Sequence, residues 1–201
     1  MIKRNLLIAI LLLFVPMAGF SAIPGKYEVQ IPFSPPAARS LDQVTVHVVF
    51  AFDCGHCYNF HRSQQKALKR KFGNKLRLIN QPIGWRGENP GRLYFIAEEE
   101  GKGEAVLMTI FDLLFNKGLG VEMFKRDKLQ FVAQMNGLTE QFKSRMDSPE
   151  IVGKMRKSMN YAKERKIDST PTVVIENVIF AERDLGNLTT IINALLKKPV
   201  S

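Results

Sequence analysis

Cysteine and tryptophan are the scarcest residues of this 201-residue chain, which has two cysteines and one tryptophan. Two cysteines cannot form the several cross-links of a disulfide-rich scaffold, so their role is local. Acidic residues are also few, 19 against 29 lysines and arginines. The basic residues are spread along the chain without a platform of interleaved aromatic residues, so we expect no nucleic-acid partner.

Internal repeats, low-complexity tracts and domain-sized linkers are absent as well. The hydrophobic content of 45% supplies a substantial core, and the length suits one domain. The sequence therefore predicts a single folded domain over residues 22–201.

Long apolar runs are missing except near the N-terminus. Two basic residues precede an uncharged run from Leu6 to Val15, and residues 16–22 are mostly small. This is the order of regions in a secretory signal peptide. We expect residues 1–21 to be removed before Ala22. The alternative is an uncut anchor, although the apolar stretch falls short of the about 20 residues of a membrane-spanning helix.

The remaining pattern predicts a mixed α/β organisation. Strands rich in β-branched residues alternate with segments of helical periodicity. Asp127 and Ser148 are predicted helix N-caps. Glu176 and Asn177 are predicted to form a two-residue turn between the last two strands. The predicted elements in order are strand Tyr27–Phe33, strand Val44–Phe52, helix Cys54–Phe72, strand Lys75–Asn80, a helical block over about 89–167, strands Thr172–Ile175 and Val178–Ala181, and helix Leu188–Leu196.

The two cysteines stand in the motif Cys54-Gly-His-Cys57, between a buried strand and a helix. A disulfide across so small a loop adds little stability, because it removes little entropy from the unfolded chain. Redox chemistry explains the spacing better, since one thiolate attacks a client disulfide and the second releases the mixed disulfide. The motif predicts a redox-active Cys54–Cys57 disulfide that needs no other cofactor.

The position at a helix start predicts which cysteine reacts. Helix N-terminal N–H groups and the dipole stabilise a thiolate, and His56 adds donors and a possible positive charge. We therefore expect Cys54, at the exposed tip, to be the nucleophile, and Cys57, one turn further, to be the shielded resolving thiol.

Metal binding is the alternative from another functional class. Cys54, Cys57 and His61 have a spacing seen among zinc ligands, but zinc generally takes four ligands or keeps an open catalytic position. We therefore expect no metal. His47 and His61 are predicted to be structural or surface residues. The sequence does not decide whether Trp85 lines a client groove or packs in the core.

The segment from Phe50 to His61 resembles thioredoxin-fold oxidoreductases of the periplasmic DsbA type, through the aromatic residues before Cys54 and Tyr58 and Phe60 after Cys57. The segment Ser169-Thr-Pro-Thr172, placed before the terminal hairpin, is similar to a second motif of that family. The helical block also matches the helical domain that this family inserts into its core.

The resemblance implies a thioredoxin-like α/β fold with an inserted helical domain, and a soluble periplasmic protein. It implies that Pro171 is cis beside the cysteines and that Thr170 and Pro171 dock an extended client. The implied activity is that of a protein disulfide oxidase or isomerase. The implied partners are unfolded or reduced exported proteins and a membrane quinone-linked thiol oxidase that reoxidises the pair.

Two departures from the family pattern leave the direction of the reaction open. The dipeptide between the cysteines is Gly-His rather than Pro-His, and Val48 stands where many relatives carry a buried carboxylate that handles the proton of the resolving cysteine. Thr170, the residue before Pro171, is similar to the residue that periplasmic isomerases have at this position. An isomerase or reductase therefore stays an alternative to the oxidase, as does a non-enzymatic metal-binding or chaperone-like protein of the same fold.

Overall fold

The computed structural model describes residues 23–30 and 42–197. The predicted signal peptide over residues 1–21 and the end of the predicted first strand lie outside this part of the chain. Within the described ranges, no helix is long and apolar enough to span a bilayer. The strands are β1 Tyr27–Val29, β2 Val44–Ala51, β3 Leu76–Ile83, β4 Thr172–Ile175 and β5 Ile179–Ala181.

The described strands form one sheet in the order β1-β5-β4-β2-β3. β2 and β3 are parallel, with Val46 opposite Leu78, whereas β2 and β4 are antiparallel, with Val48 opposite Val173. β2 lies inside the sheet, between β4 and β3, and is almost wholly buried, as expected for an apolar strand covered on both faces. The helical connection between the parallel strands confirms the predicted βαβ unit.

Helices cover the sheet and fill the long connection between β3 and β4. The helix after β2 is continuous, because a π-helical segment over Phe60–Gln65 joins α1 to α2. Helices α3 to α7 form the insertion that was predicted over about 89–167. The helices are α1 Gly55–Asn59, α2 Lys66–Phe72, α3 Asn89–Glu99, α4 Gly103–Phe111, α5 Arg126–Met135, α6 Thr139–Arg145, α7 Pro149–Glu164 and α8 Leu185–Lys197.

Local capping explains where two insertion helices begin. The Ser148 side chain accepts a hydrogen bond from the N–H of Ile151 at 3.3 Å, which confirms it as the N-cap of α7. The prediction for Asp127 is wrong, because the extended residue Lys125 is the N-cap of α5. Asp127 lies in the first turn instead, where its charge still faces the positive end of the helix dipole.

The terminal hairpin differs slightly from its prediction. Glu176 and Asn177 both have positive φ, 51° and 62°, but Ile175 pairs with Ile179, so the turn includes Val178 as well. The buried Glu176 carboxylate accepts a hydrogen bond from the N–H of Thr45 at 2.7 Å. The turn is thereby fastened to the start of β2.

Two main groups of buried side chains hold these layers together. The larger lies between the end of β2 and the insertion and includes Phe50, Cys57 and Phe111. The second lies between β2, α2 and α8 and includes Val48 and Leu68. Each such apolar side chain contributes about 1.5–3 kcal/mol on burial. The cysteine motif thus lies where the sheet meets the insertion, and the predicted α/β fold with an inserted helical domain is confirmed.

Candidate redox-active site

Cys54 and Cys57 lie where the chain leaves β2 and enters α1. Cys54 is the N-cap of α1, with φ −101° and ψ 106°, and its Sγ accepts a hydrogen bond from the N–H of Cys57 at 3.1 Å. The two sulfurs form a disulfide, with the Cα atoms 5.2 Å apart. Cys57 is fully buried, whereas Cys54 is partly exposed. Only the Cys54 side of the disulfide is therefore open to solvent.

The N-cap position gives the Cys54 sulfur the electrostatic environment of an anion site. A serine or aspartate oxygen at an N-cap accepts the same hydrogen bond that this sulfur accepts. When the disulfide opens, the N–H of Cys57 and the positive end of the helix dipole both favour a thiolate on Cys54. The helix continues from Gly55 to Phe72, so the dipole is that of a long helix.

His56 lies in the first turn of α1 and is exposed to solvent. His56 follows Cys54 after one glycine, so a positive imidazole there favours the thiolate through its charge. Exposure limits that effect, because water and salt screen the charge. We therefore expect His56 to adjust the stability of the thiolate and the helix start to provide most of it.

Thr170 and Pro171 lie beside Cys54 although Thr170 is 116 residues further along the chain. The carbonyl oxygen of Thr170 is 3.4 Å from Cys54 Sγ, and the Thr170–Pro171 peptide bond is cis. Pro171 is buried immediately before β4, and its carbonyl oxygen accepts a hydrogen bond from Arg183 Nη1 at 3.4 Å. The structure thus brings all five predicted site residues to one end of the sheet.

A loop after β3 lies beside the cysteines. Asp53, the residue before Cys54, forms an ion pair with Arg86 at 3.1 Å. The neighbouring Trp85 is 52% exposed. Of the two interpretations left open for Trp85, core packing is therefore wrong. The indole lies at the surface of a loop tied to the residue before Cys54.

A polar cluster against Tyr58 was not predicted from the sequence. The Tyr58 hydroxyl donates to Asp112 Oδ1 at 2.6 Å and accepts from Asn116 Nδ2 at 2.7 Å. Phe115 stacks on the Tyr58 ring at 5.7 Å, and a side chain at Gly55 would come within 3.8 Å of Phe115. An aspartate and an asparagine four residues apart within an apolar helical stripe were the available signal. These contacts attach the cysteine helix to the insertion.

Two histidines are buried rather than on the surface, His47 within β2 and His61 in the helix that carries the cysteines. His47 stacks on Tyr161 with ring centroids 4.7 Å apart. Burial lowers its pKa to about 4, and the charges of Arg165 and Arg77 act in the same direction. His61 is deeper still, and burial lowers its pKa to about 3. Both rings are therefore neutral at pH 7.

A cleft of about 790 Å³ extends from Pro171 towards the β1 edge of the sheet. Backbone and side chains of the segment before β4, of β5 and of β1 line it, and it contains both acidic and basic residues, among them Glu28 and Arg183. In the described part of the chain, no group of three or more histidine, cysteine, aspartate or glutamate side chains is arranged to hold a metal.

Comparison with known proteins agrees with this geometry. The family model described as Thioredoxin matches residues 42–194. The thiol:disulfide interchange protein DsbA of Burkholderia cepacia is 25% identical over 147 residues, which cover 72% of this chain. The match spans 66% of that relative, just under two thirds of its length.

Solved structures with the same architecture include two DsbA proteins. The crystal structure of DsbA from Pseudomonas aeruginosa matches with a TM-score of 0.70 at 18% identity, covering 86% of this chain and 91% of that one. Oxidoreductase DsbA from Xylella fastidiosa matches with a TM-score of 0.67 at 21% identity, covering 79% of this chain and 87% of that one. The chain therefore belongs to the thioredoxin family and has the fold of the DsbA-type thiol:disulfide interchange proteins.

Proposed function

We propose that this chain is an exported thiol:disulfide oxidoreductase that forms disulfide bonds in reduced exported proteins. The observation that carries this proposal is the arrangement of one disulfide, with the Cys54 sulfur accessible at a helix N-cap and the Cys57 sulfur fully buried. A purely structural bridge gains nothing from such asymmetry. A redox bridge requires it, because one sulfur must meet the client and the other must be shielded.

The reaction is a thiol–disulfide exchange in which the protein is reduced and the client is oxidised. A client thiolate attacks Cys54 Sγ, the Cys54–Cys57 bond breaks, and Cys57 leaves as a thiolate that then takes up a proton. The second client thiolate attacks the client sulfur of the mixed disulfide. This step forms the client disulfide and releases Cys54 as a thiolate, which the N–H of Cys57 and the helix dipole stabilise.

Thr170 and Pro171 dock the client backbone in this proposal. An extended client segment that pairs with Thr170 has its own cysteine close to Cys54, because the Thr170 carbonyl lies 3.4 Å from that sulfur. Pro171 has no N–H and therefore leaves that side of the segment without a competing donor. The cleft beyond Pro171 provides room for client residues that flank the cysteine.

The direction of the reaction depends on how strongly the protein stabilises the Cys54 thiolate. The reduction potential measures that stabilisation and therefore tests the proposal. Stabilising the Cys54 thiolate favours the reduced protein, so we expect a reduction potential of about −200 to −120 mV and stoichiometric transfer of the disulfide to a reduced test protein. His56→Ala should lower the potential by about 5–20 mV, which corresponds to the about 0.3–1 kcal/mol of an exposed charge near a helix end. Equilibration with glutathione buffers measures both values.

The control for His56→Ala is His47→Gln, because His47 lies within β2, before the cysteine motif, and is buried against Tyr161. A potential near −270 mV for the unaltered protein would indicate a thioredoxin-like reductant and would contradict the oxidase. An unchanged potential in His56→Ala would show that the helix start alone sets the stability of the thiolate.

Export is part of the same proposal. Residues 1–21 serve as the signal peptide, so the mature protein begins at Ala22 and works in the periplasm, where a membrane quinone-linked thiol oxidase reoxidises it. We expect mass spectrometry of the protein from a periplasmic fraction to give a chain that starts at Ala22. Recovery of the full chain from the membrane fraction would instead establish an uncleaved anchor.

A further inference from the structure

The reaction requires the buried Cys57 to gain and to lose a proton, and none of the groups described so far exchanges that proton with it. When it leaves as a thiolate, its charge forms in a fully buried position among apolar side chains, where an unpaired charge is costly. The same thiol must lose its proton before it can resolve a mixed disulfide on Cys54. Val48 provides no acid or base. This inference rests on the proposed function, since only a redox-active Cys57 exchanges a proton.

His61 is the buried titratable residue that the reaction leaves unused. Its side chain is 5% exposed, and neither ring nitrogen has a hydrogen-bond partner of normal geometry among the described residues. A buried polar group without a partner costs free energy, and such groups in a folded protein call for an explanation. A purely structural role does not require an imidazole here, because an apolar side chain of the same size would fill the space.

Helical spacing puts His61 on the same side of the helix as Cys57, one turn further along the chain. Residues four apart on a helix are neighbours, and a helical side chain leans back over the turn before its own Cα. The His61 ring contacts Phe50 at 4.7 Å and Phe111 at 5.8 Å between ring centroids. Both phenylalanines belong to the same buried group as Cys57. His61 also lies in the π-helical segment of this helix, which begins at Phe60, and such segments are frequent at functional sites.

The same helix face continues from His61 towards solvent. Gln65 follows four residues later and is buried, and Lys69 follows four residues after that. Lys69 Nζ forms an ion pair with Glu104 Oε2 at 2.7 Å at the surface. Cys57, His61, Gln65 and Lys69 thus form a polar line from the buried sulfur to the outside of the helix.

We propose that His61 is the proton-transfer partner of Cys57. A neutral imidazole has one N–H donor and one acceptor nitrogen. As the Cys57 thiolate leaves, one ring nitrogen gives it a proton and the other takes a proton from the solvent side, so the ring ends neutral. In resolution of a mixed disulfide the transfers run in reverse, and the Cys57 thiol loses its proton through the ring before it attacks Cys54 Sγ.

The electrostatic surroundings of His61 suit such a relay. Burial lowers its pKa most, and the positive charge of Lys69 lowers it further, while a weaker interaction with Gln65 opposes the shift. The neighbours from β2 and α4 are the uncharged rings of Phe50 and Phe111. The ring is therefore neutral at working pH and able to donate and accept at once.

The test isolates the step that depends on the Cys57 proton. Reduced protein is mixed with glutathione disulfide, and acid quenching followed by mass spectrometry gives the rate at which the Cys54–glutathione intermediate is resolved. His61→Met keeps the volume and the contacts with the phenylalanine rings but removes both nitrogens. We expect resolution to be about 100-fold slower than in the unaltered protein at pH 7, the lower end of the range of general acid–base catalysis.

The pH profile separates proton transfer from packing. In His61→Met we expect the rate to rise with pH towards that of the unaltered protein, because hydroxide then ionises the buried Cys57 thiol directly. Three results would each overturn the role of His61. The first is a slower resolution in His61→Met by the same factor at every pH, and the second is a rate in His61→Met equal to that of the unaltered protein. The third is an equally slow resolution in the control His47→Gln. If the unaltered protein forms no glutathione intermediate, the proposed function itself fails.

Discussion

Replacing Cys57 by serine is expected to convert the protein from a catalyst into a covalent trap for its clients. The Cys54 sulfur stays accessible at the N-cap of α1 and still attacks a client disulfide. No second thiol is left to release the mixed disulfide, so the complex accumulates and oxidative refolding of a reduced test protein falls to the uncatalysed rate. Non-reducing gels measure the trapped complex, and activity regained by the test protein measures turnover.

Cys54→Ser is the matched control for the trap. It leaves Cys57 as the remaining thiol, and Cys57 is fully buried, so we expect neither turnover nor a client complex. Equal trapping by the two variants would mean that both sulfurs reach clients, and the division into a nucleophilic and a resolving cysteine would have to be abandoned. Turnover by either variant above the uncatalysed rate would contradict the disulfide exchange itself.

The sequence predicted those parts of the protein whose signals are local. The β2 run of buried residues, the following helix and the parallel β3 are adjacent in the chain, and each carries its own periodicity. The cysteine motif was visible for the same reason, since Cys54 and Cys57 are three residues apart at a strand-to-helix junction. Burial of Cys57 follows from its place one turn inside an amphipathic helix.

Contacts between distant segments were harder to predict. Thr170 lies 116 residues after Cys54, and only the family resemblance indicated that the two segments meet. The hydrogen bonds of Tyr58 with Asp112 and Asn116 depend on how the insertion packs on the sheet, and neither partner has a motif of its own. Helix starts are uncertain by one or two residues. The N-cap of α5 is the extended residue Lys125, which makes no side-chain cap hydrogen bond and therefore left no capping signal in the sequence.

Phe111 joins the cysteine helix to the insertion, and Phe111→Ala is expected to destabilise the protein strongly. Its ring is fully buried and packs against five other rings. These are Phe50, Phe52, Tyr58, His61 and Phe115, at centroid distances of 5.3 to 6.1 Å. Removal of a buried phenylalanine ring costs about 3–5 kcal/mol, because transfer energy is lost and a cavity remains. Urea unfolding of the oxidised protein should show a midpoint lower by about 1–2 M with an unchanged slope.

The matched control is Phe131→Ala on α5, because the same ring is removed from a side chain that is 55% exposed. Its expected cost is within about 0.5 kcal/mol. Since Phe111 also contacts Tyr58 and His61 on the cysteine helix, its loss should loosen that helix, and Cys57 should react with alkylating reagents faster in reduced Phe111→Ala than in reduced Phe131→Ala. A cost below about 1 kcal/mol for Phe111→Ala, well under the usual range for such a ring, would show that the insertion does not hold the helix. Shielding of Cys57 would then have to come from the sheet side alone.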